Sequence, residues 1–288
     1  VIAQANQVIE KVPAITPMDA KQKSKILGEA RFLRASAYFT AVRLWGDIPL
    51  ITKPQTASSE DFLPARAPVE AVYKLIVEDL IAAEAAGLDW MDSRGRVGTA
   101  AIKAQLAEVY LTMAGGTLNK GASHYKLAAD KAFEVITYAN SNPTSVNLFN
   151  TYYDVHREAT ENRLEHLFMI QYNNSVAGNP MENFYPNFKP VTFSGPGGTG
   201  SSVPVPAFFR SYEEGDLRTK DQEGYFYTSY YTNGSGAPFS LGAPYVFKHF
   251  NQTSAGTSGA PGTRNNNLNV PQIRYAQVLL TYAEAQNE

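Results

Sequence analysis

The stretch EARFLRASAYFTAVRLWGDIPLITKP, residues 29–54, decides the fold. Read with the residues before it, it predicts a long helix over roughly 19–45, with Asp19 as its N-cap behind Pro17. Leu27, Ala30, Ala37, Ala41 and Leu44 form one apolar stripe, and Phe32, Ala35, Phe39 and Val42 form another. A helix with one stripe lies on a surface, whereas two stripes require two neighbours. Gly46 supplies a C-terminal cap and Pro49 forbids continuation, so the chain turns sharply into an extended Ile48-Pro49-Leu50-Ile51 segment. Arg31, Arg34 and Glu29 could contact an anionic ligand. A helix held between partners favours the other reading, interhelical ion pairs or carbonyl contacts.

Working outward, a helix over about 68–86 ends at Gly87. The next, about 98–114, has Val97, Ala100, Ala101, Ala104, Ala107, Leu111 and Ala114 on one face and Ile102, Leu106, Val109 and Met113 on another. That pattern leaves Gln105, Glu108 and Thr112 for water. After Gly115-Gly116 a partner helix runs over about 123–138, where Ala129 and Phe133 keep the Ala-x-x-x-Phe spacing of a tetratricopeptide second helix, without a strict 34-residue period. Stacked antiparallel helix pairs account for such doubly apolar helices.

The 288 residues, 44% of them apolar, are enough for a sizeable core. A formal charge of -2 with no Lys/Arg cluster offers no field for nucleic acid or anionic lipid. With no cysteine, disulfides, thiolate catalysis and Cys-based zinc sites are excluded. No apolar run approaches the ~20 residues of a membrane span. Val1 begins inside an amphipathic pattern and Glu288 closes a helical run without a stop signal, which predicts an internal piece of a longer protein.

The character changes over 173–269, where Gly, Pro, Asn and Ser punctuate short runs and aromatics crowd. The expectation is therefore one domain spanning 1–288: a helical scaffold at 1–172 and 270–288, with helical pattern resuming at Pro271, and a loop-rich insertion at 173–269 that builds a binding surface. Within it only VPVPAFFRSYEEGD, 203–216, reads as a helix, and NQTSAGTSGAPGTRNNN, 251–267, reads as a mobile loop.

Catalytic patterns are weak. GPGGTG, 195–200, has dinucleotide-loop spacing, but Pro204 and Pro206 follow where a helix N-terminus would have to begin, so no cofactor is expected. Glu213, Glu214 and Asp216 sit side by side on a helix end and cannot face one another across a sugar; Asp216 with Arg218 reads as a fixed turn. His124, His156, His166 and His249 lack metal-ligand spacing, and Asp89 and Asp92 lack the repeated oxygen ligands of a calcium loop, so no metal is expected.

Aromatics are the positive signal. Tyr225, Tyr227, Tyr230 and Tyr231 crowd one short stretch and Tyr245 follows, with Trp90 between helices beside Asp89 and Asp92 as a second candidate. Sugar C–H faces stack on such rings while hydroxyls bond to nearby polar side chains. Alternation in YFYTSYY would put Tyr225, Tyr227 and Ser229 on one side. The competing reading is that these rings pack a small hairpin beneath a long loop.

Five segments together resemble one family. They are EARFLRASAYFTAVRLWGDIPLITKP; RVGTAAIKAQLAEVYLTMAG; LEHLFMIQYNNS; VPVPAFFRSYEEGDLR; and PQIRYAQVLLTYAEAQNE, in the family's order. The chain resembles the SusD/RagB family of outer-membrane nutrient-binding lipoproteins of Bacteroidetes, with Gln277 where a Glu is usual. The resemblance implies a mainly α fold of tetratricopeptide-like hairpins in a right-handed solenoid, with an irregular insertion containing short strands. It further implies a non-catalytic protein at the outer-membrane surface that captures a glycan, or in some branches a peptide, for a SusC-like TonB-dependent transporter. Membrane attachment would come only through an N-terminal lipid anchor absent from this chain. A helical-repeat adaptor that binds only protein, its aromatics serving as core, is the rival from another class.

Overall fold

The side chain of Asp19 accepts hydrogen bonds from the backbone N–H groups of Lys21 and Gln22, the N-cap that starts the long helix. In a computed structural model, the described residues are 1–56, 59, 62–116, 118–173, 175–181, 203–221, 223–230, 239–248 and 267–288. The GPGGTG motif, Tyr231, His249 and 251–266 of the Asn-rich stretch lie outside them. The described helices are α1 (Ile2–Lys11), α2 (Ala20–Trp45), α3 (Val69–Glu84), α4 (Thr99–Ala114), α5 (Ala122–Ser141), α6 (Pro206–Arg210) and α7 (Tyr275–Asn287). Among the described residues six short strands accompany them: β1 (Ile48–Pro49), β2 (Arg66–Ala67), β3 (His166–Ile170), β4 (Phe226–Tyr230), β5 (Phe239–Val246) and β6 (Val270–Arg274). They pair as β1 with β2, β3 with β6, and β4 with β5. The fold is mainly α, as the paired apolar stripes require.

The chain forms two compact units. The first holds 1–148, 163–168 and 273–288; the second holds 149–162 and 169–272. In the first unit α1 packs on α2, α2 on α3, α3 on α4 and α4 on α5, and α7 returns against α5 and α4. Phe32, Phe39, Tyr73, Ile76, Leu80, Ile102, Leu106 and Val109 are enclosed at its centre. Each such side chain contributes roughly 1.5–3 kcal/mol by leaving water. The alanines of α4 let its neighbours approach from every side, and thirteen of its sixteen residues are buried.

That enclosure corrects one expectation. Gln105 does not face water, and Glu108 does so only in part. Gln105 is buried and its Oε1 accepts from the Ser36 hydroxyl at 2.6 Å. Glu108 pairs with Arg43 at 2.9 Å and accepts from the Gln277 amide at 2.7 Å. The polar side of α4 meets α2 and α7, where matched partners replace water around Gln105 and share it around Glu108.

Buried polar contacts tie the layers. Arg34 donates from Nε and Nη2 to the two carboxylate oxygens of Asp79, at 2.7 and 2.8 Å. Its Nη1 donates to Asn6 Oδ1 and to the Thr52 carbonyl. One side chain thus joins α1, α2, α3 and the segment after β1. The Tyr38 hydroxyl donates to the Ile51 carbonyl and accepts from the Ile51 N–H, fixing the chain after its sharp exit from α2. Lys103 pairs with Glu84 and Glu134, joining α3, α4 and α5. Arginine at 31 and 34 therefore serves the scaffold, with Arg31 3.8 Å from the same Asp79.

Two boundaries differ from the periodicity. The late helix begins at Tyr275 rather than Pro271, because Val270–Arg274 is committed to the β3 pairing and Tyr275 N–H donates to the Glu165 carbonyl. The 203–216 helix is only α6, five residues, followed by a turn.

Candidate functional site

The second unit positions the aromatic stretch through a turn that charge holds in place. Asp216 accepts from the Arg218 N–H at 2.9 Å and from its guanidinium at 2.5–3.1 Å, and it caps the 3-10 turn Leu217–Thr219. The Arg218 guanidinium holds the Asp216 carboxyl down at about 2. Gly224 then lies against that turn: a Cβ there would come within 2.4 Å of the Arg218 carbonyl oxygen, so only glycine lets the backbones touch. Tyr225 N–H donates to that same carbonyl at 2.7 Å, and Tyr225 C=O accepts from Phe247 N–H at 2.7 Å.

From this anchor β4 runs antiparallel to β5, with Phe226 opposite Val246, Tyr227 opposite Tyr245, Ser229 opposite Ser240 and Tyr230 opposite Phe239. The register shifts between Tyr227 and Ser229, a bulge that interrupts the strict alternation read from the sequence. Asp221 secures the bulged strand, accepting from Thr228 N–H at 2.6 Å and from the Ser229 hydroxyl at 2.5 Å.

Phe226 is 1% exposed and forms the hub of the aromatic cluster. Phe209, Tyr212, Phe208 and Tyr225 surround it at centroid distances of 5.3, 5.7, 6.5 and 4.8 Å, with edge-to-face geometry. Beside this hub opens a concavity of about 450 Å³ lined by Val203, Pro204, Phe208, Tyr212, Tyr225 and Phe226, with Val246 at its side. Two cations flank the rings: the Arg218 guanidinium lies 4.7 Å from the Tyr212 centroid and Lys248 Nζ 5.3 Å from that of Tyr225.

Of the sequence candidates, Tyr225 is half-buried and lines the concavity, and Tyr245 is half-buried on β5. Tyr227 and Tyr230 are placed by their backbone on β4. Tyr225 precedes the strand and shares the concavity with Phe226, rather than lying opposite it as alternation suggested. Trp90 belongs to the first unit, where its ring stacks on Tyr138 at 4.0 Å and 7° with Lys103 Nζ 5.7 Å from its centroid. Phe208 and Tyr212, which the sequence reading does not single out, also line the concavity. Their i,i+4 spacing in PAFFRSY was the available signal, and their rings meet at 5.5 Å.

Glu213 and Glu214 are exposed. Glu161 behaves differently: burial, with Glu158 nearby, pushes its carboxyl up to about 7. Both of its oxygens accept from Asn269, one from the backbone N–H at 2.6 Å and one from Nδ2 at 2.5 Å. Among the described residues no group of three or more His, Asp or Glu is placed to hold a metal ion.

A family model described as the SusD family matches residues 97–288. The chain belongs to the SusD family. A second model, described as starch-binding associating with outer membrane, matches residues 1–111. SusD-like protein P2 of Formosa agariphila is 30% identical over all of this chain and 57% of its own length. A SusD superfamily protein from Parabacteroides distasonis aligns with a TM-score of 0.85 and 33% identity, over 99% of this chain and 60% of that one. A structure solved with a xylogluco-oligosaccharide aligns at 0.79 with 27% identity, over 99% of this chain and 58% of that one. The chain thus spans somewhat more than half the length of these SusD relatives, and its helices follow the SusD-superfamily fold. Among the described residues no helix is long and apolar enough to cross a membrane.

Proposed function

We propose that this SusD-family chain captures oligosaccharide without cleaving it, at the outer-membrane surface, for a TonB-dependent transporter. The observation that carries the reading is the open concavity lined by Tyr225, Phe208 and Tyr212, a surface on which sugar C–H faces can stack. The family description for residues 1–111 and the relative bound to a xylogluco-oligosaccharide support glycan as the ligand. The described residues that line the concavity carry no carboxylate, which suits capture better than hydrolysis. Asp216, whose partner Arg218 flanks the Tyr212 ring, is held near 2 and is no proton donor at neutral pH. Shallow stacking sites give about millimolar to micromolar affinity, roughly -4 to -8 kcal/mol, which suits capture followed by release.

Isothermal titration against starch, xyloglucan and laminarin oligosaccharides tests this. Binding by at least one, lowered about tenfold or more by Tyr225→Ala in a protein that still melts cooperatively, is the expected result. Binding of peptides alone would shift the reading to peptide capture. Loss of stability with affinity unchanged would return the rings to a packing role.

A further inference from the structure

We propose that the first unit carries a second saccharide site, a concavity between α2 and the 88–97 loop that takes a neutral sugar through its hydroxyl groups. This proposal rests on the glycan reading above. The concavity measures about 300 Å³, the lower end of volumes that hold small ligands. Ile26, Leu88 and Val97 give it aliphatic surface, and three ion pairs supply its polar edge.

The ion pairs determine what the site can recognise. Lys25 pairs with Asp89 at 3.3 Å, Arg94 with Asp92 at 2.6 Å, and Arg96 with Glu29 through a two-pronged contact. Three cations face three anions, so the site has no net charge to reward a uronate or a sulfate. A purely apolar guest would strip water from six charged groups and return nothing. A polyol fits both demands. Each guanidinium carries five N–H donors, of which its carboxylate fork uses two, and each carboxylate has further lone pairs. Donor and acceptor therefore stand side by side, the arrangement that adjacent sugar hydroxyls complement.

Burial sorts these groups by depth. The side chains of Asp92 and Glu29 are 12% and 17% exposed, whereas those of Arg94 and Arg96 are 76% and 52% exposed. In these two pairs acceptors lie inside and donors stand at the rim. In the third the order reverses, with Lys25 more buried than Asp89, so both donor and acceptor groups are reachable from the mouth.

The loop is fixed before any ligand arrives. Thr99 N–H donates to Asp89 C=O at 2.8 Å, Ala100 N–H to Trp90 C=O at 3.1 Å, and the Thr99 hydroxyl to Leu88 C=O at 2.9 Å. A Cβ at position 98 would come within 2.5 Å of the Trp90 carbonyl oxygen, so Gly98 lets the loop lie directly on the start of α4. Asp92 closes the tip by accepting from Arg94 N–H at 2.8 Å. Binding thus costs little ordering of the protein. Asp89 and Asp92, noticed in the sequence beside Trp90, line this concavity, while the Trp90 ring stacks on Tyr138.

Saturation-transfer NMR with maltoheptaose and a xyloglucan heptasaccharide tests the proposal on the intact chain. Four proteins are compared: wild type, Y225A, Q22A/R94A, and the triple variant. Gln22 and Arg94 are exposed, so the substitutions spare the core, and thermal melts verify folding. The expected result is residual transfer in Y225A that falls about tenfold in the triple variant. Residual transfer unchanged in the triple variant, or none in Y225A, overturns the second site and leaves the first intact. Silence of the wild-type protein toward both sugars overturns the glycan reading and this proposal with it.

Discussion

Arg34 shows how much of this architecture can rest on one side chain. Its guanidinium is buried and its fork is matched by Asp79, itself 1% exposed. Asp79→Ala would leave that cation without its main partner. Breaking a buried pair from one side costs about 3–5 kcal/mol, and urea unfolding monitored by circular dichroism should register a loss of that size. Glu161 makes a prediction about pH. Its folded carboxyl sits at about 7, above its ordinary value of 4.5. As pH rises through that window the unfolded chain releases the proton first, so stability falls between about 4.5 and 7 and levels off above. The decline, measured as the difference between wild type and Glu161→Gln across pH 4–8, should vanish in the variant. Gln277 carries a third expectation. Its amide donates to Glu108 at 2.7 Å, so Gln277→Glu would set two carboxylates together. The melting temperature should drop at pH 7 and recover toward pH 4 as one of them takes a proton.

At the scale of elements, α4 is the most demanding helix. Ala101 and Ala107 are fully buried, and Ala107→Leu would force its neighbours apart at a cost of roughly 1–3 kcal/mol or more, readable as a lower denaturant midpoint. Helices of this kind were legible in the sequence, because a period of 3.6 with two apolar stripes leaves few alternatives. The boundaries at Asp19 and Gly46 follow from capping chemistry, and α2 indeed runs Ala20–Trp45. The stripes were not equally exact: Phe32, Ala35, Phe39 and Val42 are buried, but Leu44 is 66% exposed. What could not be read was long-range pairing. Val270–Arg274 carries no strand signal strong enough to oppose a helical reading until β3, a hundred residues earlier in the chain, is known to lie beside it. The same limit applies to the site. Tyrosines crowd 225–231 in the sequence, yet Phe208 and Tyr212, which share the concavity with Tyr225, come from α6 and from the second residue beyond its end. Only the fold places them on one concavity. Trp90 illustrates the reverse: its loop position was legible, its stacking on Tyr138 was not.

For the whole molecule, ligand binding and stability are linked. A sugar that binds only the folded chain, supplied at ten times its dissociation constant, should raise unfolding free energy by about 1.4 kcal/mol. Calorimetric scans with and without oligosaccharide measure this, and Y225A should show a smaller gain at the same concentration. The return of α7 onto α5 and α4 also bears on folding. Glu108 meets Gln277 across 169 residues of chain. The flank of α4 that α7 finally covers therefore stays open until the last helix of this stretch joins the fold. A chain truncated before Tyr275 should keep that flank uncovered and aggregate on refolding, an outcome that light scattering reads.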